Sequence, residues 1–94
     1  TSMGVAVLNH VAAKMAAMLG PDFDIEIVET HHRNKKDAPS GTALTLADRI
    51  LEAVGRSRDE LLPGRTPERA ERVPGQIAIH AVRAGDVTGT HTVH

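Results

Sequence analysis

The sequence has no cysteine, no tryptophan and no tyrosine, and Phe23 is its only aromatic residue. The absence of cysteine excludes disulfide bonds and thiolate metal sites in this chain. Aromatic side chains usually contribute large buried areas, so the core must instead consist of Val, Leu, Ile, Ala and Met. The chain has 94 residues, which is enough for one domain and not for two. We therefore expect one small core that a partner subunit or a second domain helps to cover.

The charges are balanced, and long apolar runs are missing. Eleven Lys and Arg residues stand against 12 Asp and Glu residues, for a formal net charge of -1, whereas a nucleic-acid-binding domain usually has a clear basic excess. No apolar run approaches the roughly 18 residues of a membrane span. The first residues also lack the basic segment and long apolar core of a signal peptide. We therefore expect a cytoplasmic protein that binds neither nucleic acid nor membranes.

Hydrophobic periodicity predicts two helices and three strands. The predicted helices cover residues 2–19 and about 41–54, and the predicted strands cover 23–30, 76–82 and 87–93. Ser2 is a candidate N-cap of the first helix, and a tight turn at 84–86 should return the last strand. The charged, proline-containing segment 56–75 is expected to be a long surface loop. This order predicts an α+β domain, in which two helices pack on one face of a mixed sheet.

A polar, basic segment separates the first strand from the second helix, and it is the best candidate for a site. The first N–H groups of a helix have no partner within the helix, and its dipole adds roughly half a positive charge there. Ser40, Gly41 and Thr42 therefore predict a site for a carboxylate or phosphate. Residues two apart on an extended segment share a side, so one of the two histidines and one of the two lysines at 31–36 can reach a common ligand. Histidine titrates near neutral pH, which suits a proton donor.

Each of these features has a simpler explanation when it is taken alone. Ser40 by itself is most often an N-cap, and a basic cluster is usually a solvated surface. A metal site is a further alternative, although no carboxylate lies at a defined spacing from its candidate ligands. Those candidates are His31, His32, His91 and His94. A non-catalytic anion-binding or assembly domain is the main alternative to an enzyme.

A family signature covers residues 29–43, which are Glu-Thr-His-His-Arg-Asn-Lys-Lys-Asp-Ala-Pro-Ser-Gly-Thr-Ala. This segment closely resembles the pattern Glu-x-His-His-x-x-Lys-x-Asp-x-Pro-Ser-Gly-Thr-Ala of the 4-hydroxy-tetrahydrodipicolinate reductases, also called dihydrodipicolinate reductases. Every fixed position is met. The resemblance continues through 72–75 and 82–86 to Gly89 and His91, so it covers nearly the whole chain. It implies that residues 1–94 are the C-terminal substrate-binding and oligomerisation domain of such an enzyme.

The resemblance also implies a reaction and roles for the signature residues. The family reduces a cyclic imine dicarboxylate to tetrahydrodipicolinate with NADH or NADPH, in bacterial lysine and diaminopimelate biosynthesis. It implies that His31 is the general acid and that Lys35 is the partner proton donor. The implied substrate-binding residues are His32, Lys35, Ser40, Gly41 and Thr42. This set agrees with the anion site that the residue types predict.

Parts of the family pattern are missing from this sequence. No glycine-rich dinucleotide fingerprint occurs, so the cofactor-binding residues, and with them the choice between NADH and NADPH, should belong to an N-terminal domain outside this chain. The sequence opens on a helical pattern and ends at 90–94 in a strand pattern that is still running. We therefore expect a single truncated domain that lacks the last strands of the family. The chain alone should be inactive. The homotetramer that the family forms through this sheet is expected of the full-length protein.

Overall fold

The computed structural model describes residues 2–94, and these form two α-helices and a four-stranded sheet. The elements are α1 (Ser2–Leu19), β1 (Ile25–His31), α2 (Gly41–Ala53), β2 (Leu61–Leu62), β3 (Ile77–Arg83) and β4 (Thr90–Val93). The predicted helices and the first two predicted strands are confirmed to within two residues at each end. The proposed cap at Ser2 depends on a side chain outside the described part of the structure.

The sheet is mixed, with the strand order β2-β3-β1-β4. β1 pairs in parallel with β3 and antiparallel with β4. The prediction that the last strand returns along the preceding one is therefore wrong. After β3, the N–H of Ala84 donates to the carbonyl of His31, and the N–H of Arg33 donates to the carbonyl of Gly85, both at 3.1 Å. Through these bonds the turn crosses the end of β1. β4 therefore pairs with the edge of β1 that is opposite β3.

The segment 56–75 contains more structure than the predicted surface loop. Leu61 and Leu62 form β2, which pairs in parallel with the start of β3. Leu62 is buried. Short 3-10 helices lie on either side, at Arg58–Glu60 and Pro67–Arg69. Two apolar residues among charged neighbours are too few to show a strand period, which explains why the sequence pattern did not indicate this edge strand.

Both helices pack on the same face of the sheet, as the sequence pattern predicts. Ala12 and Ala16 of α1 join Leu46 and Ile50 of α2 and Ile27 of β1 in one apolar core. The small alanine side chains allow α1 to approach α2 closely. Among residues 2–94, no helix has both the length and the apolar character needed to cross a membrane.

Candidate functional site

The loop after β1 brings the signature residues to the carboxyl end of that strand, where α2 begins. The N–H of Ala43 donates to Ser40 Oγ at 3.1 Å. Within residues 2–94, the N–H groups of Gly41 and Thr42 have no hydrogen-bond acceptor. Gly41 is exposed and Thr42 is half-buried. Two adjacent N–H donors at the positive end of a 13-residue helix can hold one carboxylate group.

Ser40 lies inside the protein and is the N-cap of α2. Its exposed fraction is 2%, and its N–H donates to Glu29 Oε2 at 2.6 Å. Its Oγ also lies 3.3 Å from Nε2 of His91. The backbone N–H of Ser40 is therefore bonded to the protein, unlike those of Gly41 and Thr42. Only its hydroxyl hydrogen could be offered to a ligand.

His31, the predicted general acid, is the last residue of β1 and is 9% exposed. Its Nδ1 lies 2.9 Å from Oε1 of Glu29. The edge of the ring meets the ring of His91, with the ring centroids 5.3 Å apart. Burial lowers the pKa of His91, a protonated His31 and the Lys35 ammonium group lower it further, and the Glu29 carboxylate raises it by less. His91 therefore favours its neutral form, whose Nε2 can accept a hydrogen bond from the Ser40 hydroxyl when no ligand accepts it.

Glu29 is the centre of this cluster, although no role is predicted for it from the sequence. Its side chain is fully buried, and it accepts hydrogen bonds from His31, from Ser40 and from both terminal nitrogens of Arg83, at 2.5 and 3.0 Å. Burial alone would raise the pKa of Glu29, but the hydrogen bonds from these three residues outweigh it and lower the pKa to about 2. The carboxylate is therefore ionised at neutral pH.

A signal for Glu29 was present in the sequence. Side chains two apart on a strand share a face, so Glu29 and His31 continue the face of Ile25 and Ile27. Glu29 is thus a charged residue at a position where the alternation along the strand predicts an apolar core residue. Arg83 and His91 gave no comparable local signal, because they reach the site from β3 and β4.

The two remaining predicted site residues, Lys35 and His32, lie in the loop after β1. Nζ of Lys35 lies 3.0 Å from Oδ1 of Asp37, and the hydrogen bond from Lys35 lowers the pKa of that exposed carboxyl. His32 Nδ1 accepts from the N–H of Asn34 at 3.2 Å. No described contact joins His32 to His31 or to the start of α2. The loop therefore supplies one cation near the site, and its second histidine lies apart.

Residues 2–94 contain no group of three or more His, Asp or Glu side chains arranged to hold a metal ion. Of the four histidines in the metal alternative, His31 and His91 are in contact. His32 instead lies beside an open depression that Asn34 and Gly85 also line. The geometry thus does not assemble the four imidazoles that this alternative requires.

Comparison with known proteins gives consistent matches. The family model for the C-terminus of dihydrodipicolinate reductase matches residues 4–94. A 4-hydroxy-tetrahydrodipicolinate reductase of Myxococcus xanthus is 47% identical over 93 residues, which cover 99% of this chain and 34% of the relative. A protein of the same name from Wolinella succinogenes is 53% identical over 96 residues, which cover 98% of this chain and 36% of the relative.

A solved structure matches as well. The dipicolinate-bound dihydrodipicolinate reductase of Paenisporosarcina sp. TG-14 superimposes with a TM-score of 0.60 at 31% identity, over 95% of this chain and 35% of that one. The present chain thus spans about a third of the length of the proteins it matches.

Proposed function

The chain belongs to the family of dihydrodipicolinate reductase C-terminal domains, and on that premise we propose that residues 1–94 are the substrate-binding and catalytic domain of a 4-hydroxy-tetrahydrodipicolinate reductase. Such an enzyme serves lysine and diaminopimelate biosynthesis. One observation carries the proposal: a buried histidine, His31, lies at the end of β1 beside a helix start with two free N–H groups. A proton donor and a carboxylate site thus lie at the same end of the sheet.

We assign one substrate carboxylate to the N–H groups of Gly41 and Thr42, with the ammonium group of Lys35 and the Ser40 hydroxyl as further donors. Hydrogen bonds to a charged group are stronger than neutral ones, and the helix dipole favours the negative charge. His32 is assigned to the same ligand, which requires the loop to bring it closer than its present contacts do. The dipicolinate in the related solved structure supports a small dicarboxylate as the ligand class.

The proton chemistry is assigned to His31 and Lys35. Conversion of 4-hydroxy-tetrahydrodipicolinate to tetrahydrodipicolinate replaces the 4-hydroxyl group with hydride and releases water. The reaction therefore consumes one proton, which a histidine or lysine within reach of the substrate ring can supply. The nicotinamide cofactor does not fit this chain. The β1–α2 junction carries Gly41 as its single glycine, and a pyrophosphate site of that type needs a glycine-rich turn. We therefore assign NADH or NADPH to the part of the relatives that this chain does not span.

The remaining assignments follow from the same family membership. We propose a cytoplasmic enzyme that is a homotetramer, with contacts through the sheet face opposite the helices. Val82 of β3 is exposed there. The alternative is a non-catalytic anion-binding or assembly domain. One observation favours a non-catalytic role, namely that the hydrogen bonds of Ser40 already stabilise the fold.

The ligand assignment can be tested by titrating pyridine-2,6-dicarboxylate into the ¹⁵N-labelled chain. The amide signals of Gly41 and Thr42 should shift, because these two donors are assigned to the carboxylate. Lys35→Ala should weaken binding, whereas Lys36→Ala, which changes an exposed neighbour, should not. Shifts confined to residues remote from α2 would contradict the assignment. Oxidation of NADH or NADPH by the pure chain with substrate would contradict the assignment of the cofactor elsewhere.

A further inference from the structure

The buried carboxylate of Glu29 uses all of its acceptor capacity within the protein. Oε1 accepts from His31 Nδ1 and Arg83 Nη1, and Oε2 accepts from the N–H of Ser40 and from Arg83 Nη2. A carboxylate has about four acceptor sites, so none remains for a substrate or a water molecule. Glu29 therefore cannot transfer a proton itself, and its effect on the site must act through the groups it holds.

The strongest consequence concerns the histidine ring. Because the pKa of Glu29 is lowered to about 2, the carboxylate has no proton to donate at neutral pH. The 2.9 Å contact between Glu29 Oε1 and His31 Nδ1 then requires Nδ1 to carry the hydrogen. The neutral ring has its lone pair on Nε2, and protonation of the ring adds the hydrogen at Nε2. Only that nitrogen can exchange a proton with a ligand.

A second observation concerns the space beside Nε2. A Cβ atom added at Gly89 would lie 3.1 Å from His31 Nε2 and 3.4 Å from its Cδ2. Gly89 is not among the glycines with positive φ, so its backbone does not require glycine. Glycine is instead favoured there because a side chain would occupy the space next to the His31 ring. Gly89 thus leaves room beside the one nitrogen that Glu29 leaves free.

We propose that Glu29 and Gly89 are positioning residues for proton transfer: Glu29 fixes the Nδ1–H tautomer of His31, and Gly89 keeps Nε2 accessible. The proposal rests on the proposed function for its catalytic consequence, but the tautomer itself is independent of it. In the transfer step, the N–H bond at Nε2 breaks, its electron pair stays on the ring, and the proton forms a bond to an electron pair of the acceptor atom on the substrate. The Nδ1–H bond to Glu29 stays intact throughout.

The tautomer can be read directly from the imidazole ¹⁵N shifts of His31 in long-range ¹H–¹⁵N spectra of the labelled chain. The spectra are recorded at alkaline pH, where the neutral form of a histidine ring is observed. The unmodified chain should show a protonated Nδ1 and an unprotonated Nε2. Glu29→Gln should shift the ring toward the Nε2–H form, because its amide group can donate to Nδ1. Gly89→Ala should leave the tautomer as it is.

Glu26→Gln is the matched control. Glu26 lies on the same strand, and it also accepts from a histidine, His80, and from two arginines. The Glu26→Gln substitution should leave the imidazole ¹⁵N shifts of His31 unchanged. An equal change in Glu26→Gln, or unchanged shifts in a folded Glu29→Gln, would overturn the proposal. If Glu29→Gln does not fold, the spectrum of the unmodified chain still tests the proposal. A His31 ring that carries its hydrogen on Nε2 in that chain refutes the assignment.

In a reductase that contains this chain, Glu29→Gln should lower kcat by roughly 10- to 100-fold, as loss of a partner that orients a functional histidine typically does. KM should change little, because the Gly41 and Thr42 N–H groups remain. Gly89→Ala should also lower kcat. If the reductase proves inactive or does not bind pyridine-2,6-dicarboxylate, the proposed function fails while the tautomer result stands. An active enzyme whose His31 ring carries its hydrogen on Nε2 refutes only the positioning roles proposed for Glu29 and Gly89.

Discussion

Acid should destabilise this protein through Glu29, and the structure gives the size of the effect. Burial alone would raise the pKa of its carboxyl, but hydrogen bonds from Arg83, His31 and Ser40 lower the pKa from 4.5 to about 2. A pKa lowered by folding stabilises the fold above the unfolded value, and this stabilisation is lost as the pH falls through the folded value. At 1.36 kcal/mol for each pKa unit, the change from 4.5 to about 2 corresponds to about 3 kcal/mol.

Most of this contribution should disappear within an accessible pH range. Roughly 2 kcal/mol of it is lost between about pH 7 and pH 3, because the unfolded carboxyl is protonated there while the folded one is still mostly ionised. Glu29→Gln removes this titration. The variant is less stable at neutral pH, and its deficit relative to the unmodified chain should shrink by roughly 2 kcal/mol on going to about pH 3.

Urea denaturation followed by circular dichroism at several pH values measures this deficit. Asp48→Asn is the control, because Asp48 also has a lowered pKa from its hydrogen bond with Arg58. The Arg58 side chain is 62% exposed and the Asp48 side chain is 42% exposed. Water screens such a pair, so the stability deficit of Asp48→Asn should change much less with pH. A Glu29→Gln deficit that stays constant from neutral to acidic pH would refute the reasoning.

Three further predictions concern single substitutions. In the reductase that contains this chain, steady-state kinetics should show that Lys35→Ala lowers kcat and raises KM, since Lys35 is assigned both binding and proton transfer, while Lys36→Ala does neither. His31→Ala should lower kcat with little change in KM, because general-acid help acts in the transition state; an effect on KM alone would make His31 a binding residue. Ser40→Ala should lower the free energy of unfolding by about 1 kcal/mol in urea denaturation, because Ser40 Oγ caps α2; unchanged stability would contradict this.

The two helices and most of β1 and β3 could be predicted because their signals are local. Apolar periodicity predicts α1 over 2–19 and α2 over about 41–54, and the structure has Ser2–Leu19 and Gly41–Ala53. The partner of β4 could not be predicted in the same way. A tight turn at 84–86 is compatible with a hairpin, and the bonds from that turn to the end of β1 join residues about 50 positions apart.

The candidate site also has parts that local sequence predicts and parts that depend on contacts between distant residues. The family signature and the predicted anion site at the start of α2 could be identified from the sequence, because these residues are neighbours in one segment. The resemblance to the family, and not the spacing, selected His31 and Lys35 as the proton-donor candidates. The folded sheet was needed to establish that Nδ1 is the His31 nitrogen in contact with Glu29 and that the Ser40 N–H is bonded to the protein. Both depend on Glu29, whose charge is balanced by Arg83, 54 residues further along the chain. A buried carboxylate is stable only when such partners surround it, and the folded sheet is what brings them together.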